Sequence, residues 1–148
     1  MEAEKLNVFI NSVMAFFKQI GTELTDIDTP YILDNKSPVA FDFSGIITIT
    51  GPKEGCVYVS APNAMLRSML EVMHEPDTSI SILKDLLGEI ANTVSGNARA
   101  EFGSSFIIST PIVVDGIPNN SYLPKDQRSY IIPFKWQGKQ AIIGICLT

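Results

Sequence analysis

The sequence predicts an α/β chain of the α+β type: an antiparallel sheet covered by an N-terminal helix and two consecutive central helices. Three observations predict it. Apolar residues recur at three- and four-residue spacing in one N-terminal and two central stretches. Short runs that alternate, or are apolar throughout, stand between and after them, bounded by Gly and Pro. Two pairs of these runs are joined by short glycine-containing loops, the mark of hairpins. With 148 residues, 45% hydrophobic and 18% charged, one domain spanning 1–148 is expected, with a core that needs neither metal nor disulfide.

Residues 3–20 read as an amphipathic helix. Leu6, Phe9, Ile10, Val13, Phe16, Phe17 and Ile20 form its apolar face, and Gly21 stops it. Its polar face carries few of the Lys and Arg that a membrane-surface helix would need. A short strand is expected at 23–28, then a turn-rich stretch with Pro30, Asn35 and Pro38. Residues 39–50 form the first clear strand, in which Gly45 suggests a bulge or bend. Gly51 to Gly55 is a hairpin loop, and 56–59 is the returning strand. Pro62 starts a helix with Met65, Leu66, Met69, Leu70 and Met73 inward, their spacing favouring core over a plastic binding groove. His74 ends it.

Asp77 or Thr78 is expected to cap the next and longest helix, which runs to about Phe102 and stops at Gly103. Residues 106–114 read as a strand with Pro111 inside it, a position that suits an edge or a bulge. Residues 117–128 form a surface loop. The last hairpin pairs 129–136 with 140–147 and turns at Gln137-Gly138-Lys139. Its final strand is apolar on both faces, so it is either central or paired with another chain.

Composition excludes several functions. Net charge is −5 with no basic cluster, which argues against nucleic acid. Cys56 and Cys146 lie in apolar strand runs and read as buried thiols of a reducing compartment. No run approaches the roughly 20 apolar residues that span a bilayer. The start, Met1-Glu2-Ala3-Glu4, is acidic and shows no signal peptide, so a cytoplasmic protein is expected. His74 is the only histidine and lacks nearby ligand-type residues. No zinc spacing, Cys/His pair, glycine-rich phosphate loop or G-x-S-x-G is present.

The longest helix is where chemistry is concentrated. Ile80, Leu83, Leu87, Ile90, Val94 and Ala98 mark a buried stripe. Asp85, Glu89, Asn92, Gly96 and Arg99 then fall on the opposite, open face. Gly88 and Gly96 are also assigned to that face. An interior glycine costs about 0.5–1 kcal/mol against alanine, so a smooth face with short polar groups suits the close approach of another protein. The plain alternative for each polar residue is a solvated helix surface.

Asp85-x-x-x-Glu89-x-x-Asn92, with its glycine-containing helix end and the downstream Ser109-Thr110-Pro111, resembles the CheC/CheX/FliY phosphatases of bacterial chemotaxis. The order of elements is similar across nearly the whole chain, and lacking an obvious second site the chain is closest to CheX. Pro111 stands closer to Asn92 than that family's pattern leads one to expect. The resemblance implies dephosphorylation of the aspartyl phosphate of a CheY-like response regulator. It assigns Asn92 to orienting the attacking water and Glu89 to reaching the receiver's lysine. Asp85, Gly88, Gly96 and Pro111 are assigned to the partner surface. It further implies no cofactor of the chain's own, Mg2+ in the receiver, and a homodimer through sheet edges. Two other classes stay open: a module that binds a receiver domain without turnover, and a FliY-like component of the flagellar switch.

Overall fold

Alternating strand residues here have two faces to bury, and one antiparallel sheet of eight strands buries both. The computed structural model describes residues 3–147; the acidic first residues, Met1 and Glu2, lie outside them. In chain order the elements are α1 (Ala3–Gln19), β1 (Asp26–Ile27), β2 (Tyr31–Asp34), β3 (Phe43–Thr50), β4 (Gly55–Ala61), α2 (Asn63–Val72), α3 (Ile80–Phe102), β5 (Ile107–Ile108), β6 (Ile112–Asp115), β7 (Arg128–Trp136) and β8 (Lys139–Leu147). Across the sheet, β1 and β2 lie along β7, followed by β8, β4 and β3, and β5 and β6 share the far side of β3.

All three helices pack on one face. Phe9, Val13, Phe16 and Phe17 of α1 join Leu83, Leu87, Ile90 and Val94 of α3 over Ile47, Val57, Ile132, Phe134 and Ile143. The other face carries a smaller cluster of Ile46, Cys56, Tyr58, Ile131, Ile142 and Cys146, covered by Leu123 and flanking residues such as Phe41 and Tyr122. The α+β expectation holds. β8 is apolar on both sides because it is central, between β7 and β4. Its composition is therefore satisfied within the chain, and it is no motive for pairing with a second one.

Several local expectations are corrected. Part of the turn-rich stretch is a strand: Tyr31 to Asp34 pairs with Ile131 to Arg128, because Pro30 precedes the ladder rather than interrupting it. Gly45 makes no bulge, since pairing runs unbroken from Phe43↔Ala61 to Ile49↔Gly55. It serves helix packing instead. A Cβ at Gly45 would lie 3.0 Å from the Leu87 carbonyl oxygen and 3.3 Å from the Ala91 Cβ. The strand expected at 106–114 is two short ones, split at Ser109-Thr110-Pro111. Pro111 has no N–H to donate. The Ser109 hydroxyl accepts the Thr48 N–H at 2.9 Å, and the Ser109 N–H donates to the Thr48 carbonyl at 3.0 Å, so β3 keeps partners across the break.

The helix ends differ in detail. The Asp42 carboxylate accepts the Asn63 N–H at 2.7 Å and caps α2 from another segment. Ser79, not Asp77 or Thr78, is the N-cap of α3, while the Asp77 carboxylate accepts the Ser79 N–H at 2.9 Å. At the end of α2, His74 has φ 60°. The Glu75 N–H donates to the Leu70 carbonyl at 2.9 Å and the His74 N–H to that of Glu71 at 3.1 Å, a left-handed helix end usually made by glycine. Two residues assigned inward lie outward there: Met73 is 38% and Ile80 47% exposed. Cys56 and Cys146 are free, buried and directly opposed across β4 and β8. Burial, and then the neighbouring Cys146, push the Cys56 thiol up to about 12, so it stays protonated and is no nucleophile.

Candidate functional site

Helical spacing and the underlying sheet together orient α3. Leu83, Leu86, Leu87, Ile90, Ala91, Val94 and Ala98 are buried. Gly45 lets this buried side come close to β3, which turns the opposite side outward. Asp85, Glu89 and Asn92 are exposed there, one turn apart in series. Among the described residues none of the three has an intramolecular ion pair or side-chain hydrogen bond. Two acids and an amide are thus presented with their bonding capacity unspent. Arg99, on the same face, is committed elsewhere: its Nε donates to the Phe106 carbonyl at 2.7 Å.

One assigned residue is misplaced by the sequence reading. Gly88 is buried, not open. A Cβ there would meet the Val113 Cγ2 at 3.4 Å and the Pro111 Cβ and Cγ at 3.6 Å. The break between β5 and β6 carries Pro111 against α3 at Gly88, the residue before Glu89 in the chain. The proline is both an edge-strand interruption and a packing neighbour of α3. Gly96 is half-buried, and nothing lies within 4 Å of a Cβ built there. On the same flank the Lys84 Nζ lies 3.1 Å from the Asp115 Oδ1 and 5.6 Å from the Phe43 ring centroid. Sequence reading missed this pin between α3 and β6, and no local pattern links Lys84 to Asp115.

The two glycines should therefore behave differently. Gly96→Ala should raise stability by about 0.4–1 kcal/mol, since it only restricts the unfolded chain. Gly88→Ala fits at ordinary contact distance and should also be tolerated. Gly88→Leu must displace Pro111 and Val113 and should lower stability by about 1–3 kcal/mol, whereas Gly96→Leu should fold normally. Thermal midpoints of the four variants check this, and a normally stable Gly88→Leu contradicts the contact with Pro111.

Among the described residues no group of three or more His, Cys, Asp or Glu could hold a metal ion, and no helix is long and apolar enough to cross a membrane.

A family model described as chemotaxis phosphatase CheX matches residues 43–135. Among solved structures, a CheC-like superfamily protein from Shewanella sp. PV-4 is 27% identical with a TM-score of 0.83, over 100% of this chain and 99% of that one. A chemotaxis protein CheX from Desulfovibrio desulfuricans is 27% identical with a TM-score of 0.82, over 98% and 99%. The CheX of a CheX–CheY–BeF3–Mg2+ complex from Borrelia burgdorferi shares the fold, at 19% identity and a TM-score of 0.74, over 97% of each chain. No curated protein matches the sequence.

Proposed function

This chain belongs to the chemotaxis phosphatase CheX family, and on that premise we propose that it hydrolyses the aspartyl phosphate of a CheY-like response regulator with Glu89 and Asn92 of α3. The observation that carries the proposal is the exposed, unpartnered pair itself: an acid and an amide three residues apart on a rigid helix. Aspartyl phosphate is an acyl phosphate that hydrolyses unaided, and phosphoryl transfer is largely positioning and charge stabilisation. What a catalyst adds is an oriented water. The Asn92 amide offers an acceptor and donors without a charge to repel the phosphoryl group. A carboxylate at that spot would repel it, so Glu89 is given the receiver's lysine. The Borrelia structure is a complex of CheX and CheY with BeF3 and Mg2+. By analogy the metal here belongs to the receiver, and the chain brings no cofactor. Asp85 extends the contact by one turn, and Pro111 with Gly88 borders it.

The test is phosphate release from a CheY-like receiver charged with acetyl phosphate, with catalytic amounts of this chain. Multiple turnovers support the proposal. Slowed release would mean sequestration without catalysis.

The proposal includes a cytoplasmic place and a homodimer through a sheet edge. Both edges are short strands with exposed apolar residues, Tyr31 and Ile32 on β2 and Ile107 and Ile112 on β5 and β6. Unpaired edges of this kind invite pairing. Light scattering at micromolar concentration should report a dimer, and a monomer across the concentration range removes this part.

A further inference from the structure

Beside the polar face lies a cleft that the motif does not explain. α2 ends in the left-handed turn at His74, and the chain re-enters α3 at Ile80. Between the two helices, Leu70, Ile82 and Leu86 form an apolar floor and Met73 a partly exposed lip. Met73 is the outward end of an apolar series whose other members, Met65, Leu66, Met69 and Leu70, are buried. Glu75, Asp85 and Glu89 stand around the opening, and the cleft encloses about 200 Å³.

Its lining contains acids and apolar residues but no Lys or Arg. The basic side chains of these two helices near it are occupied. Lys84 pairs with Asp115, and Arg67 donates to the Asn63 and Thr78 side chains. Among the described residues Glu75 accepts only the Asp77 N–H, at 3.0 Å. The cleft thus has an apolar floor and a rim of acids that make no ion pair among the described residues, on a chain whose net charge is −5.

We propose that this cleft is a second contact for the receiver domain, taking an apolar side chain that stands beside a Lys or Arg on the receiver's surface. This rests on the phosphatase reading above. Glu89 belongs both to the polar face and to the cleft rim, so a body that reaches Glu89 also covers the cleft. The floor rewards an apolar side chain withdrawn from water. The rim attracts a cation beside it and repels an acidic surface, which discriminates among receivers. Methionine suits the lip, because its flexible thioether adapts to the side chain it meets. The contact acts on recognition: none of its residues is assigned to the phosphoryl group, and Glu89 is assigned to the receiver's lysine.

The experiment compares wild type with Met73→Ala, Glu75→Gln and the double variant. Glu75→Gln keeps an acceptor for the Asp77 N–H and removes only the charge. Capture is measured on a CheY-like receiver activated with beryllofluoride and Mg2+, and turnover on the same receiver charged with acetyl phosphate. The double variant should weaken capture and raise KM about tenfold with kcat little changed, and Glu75→Gln should flatten the salt dependence of capture. Met14→Ala, an exposed position on α1, should leave both readouts at wild-type values. Unchanged capture and KM in the folded double variant overturn the cleft contact and leave the phosphatase reading standing. Wild-type protein that neither captures nor dephosphorylates a charged receiver overturns both.

Discussion

Asn92→Ala is expected to lower turnover of a phosphorylated receiver at saturation by about 100-fold or more, with capture of the receiver nearly unchanged. The amide sits at mid-helix, exposed and, among the described residues, without an intramolecular partner, so its removal disturbs neither core nor cap. Stability should therefore stay within about 0.5 kcal/mol of wild type. Glu89→Ala is the complementary variant. It deletes a charge-assisted contact worth about 1.5–3 kcal/mol, which is roughly a 10- to 150-fold loss of capture. Steady-state rates against receiver concentration, with capture of the beryllofluoride form, separate the two effects. If Asn92→Ala turns over at the wild-type rate when saturated, the water is oriented by another group and the assignment is wrong.

Gly45→Ala is expected to destabilise the fold by about 1–3 kcal/mol, lowering the thermal midpoint by roughly 3–10 °C, and Gly45→Val by more. The added Cβ meets a backbone atom, the Leu87 carbonyl oxygen at 3.0 Å, and the Ala91 Cβ at 3.3 Å. Neither can rotate away, so α3 must lift from β3. Because α3 carries Glu89 and Asn92, activity should fall with stability. Alanine normally favours a strand over glycine, so a neutral or stabilised Gly45→Ala would show that the helix does not press on the sheet at this point. The contrast with Gly96→Ala is the useful one. Both change glycine to alanine, one where helix and sheet meet and one where nothing lies within 4 Å.

Much of the candidate site's placement was legible because its main residues share one helix. Asp85, Glu89 and Asn92 lie three or four positions apart, which alone puts them on one face, and the apolar stripe from Leu83 to Ala98 says which side is inward. Gly88 was not legible. A glycine adds nothing to a hydrophobic pattern, so its burial depends on what else arrives. Here that is Pro111, brought alongside by the pairing of β5 and β6 with β3. Met73 and Ile80 erred in the opposite direction. They continue apolar series correctly but lie where the helices separate, so no neighbour covers them.

By itself the sequence determined the three helices, the two main hairpins, the apolar central strand and the polar face of α3. These follow from periods of 3.6 and 2 and from local turn chemistry. Only the tertiary structure decided that β8 is flanked within its own chain, that Gly45 serves α3 rather than a bulge, that Gly88 lies under Pro111, and that α2 and α3 open an acidic-rimmed cleft beside Glu89. A repeat in sequence states which residues share a face. Which faces are covered depends on contacts between residues far apart in the chain, such as Lys84 with Asp115 and Gly45 with Leu87, and these exist only once the sheet order is set.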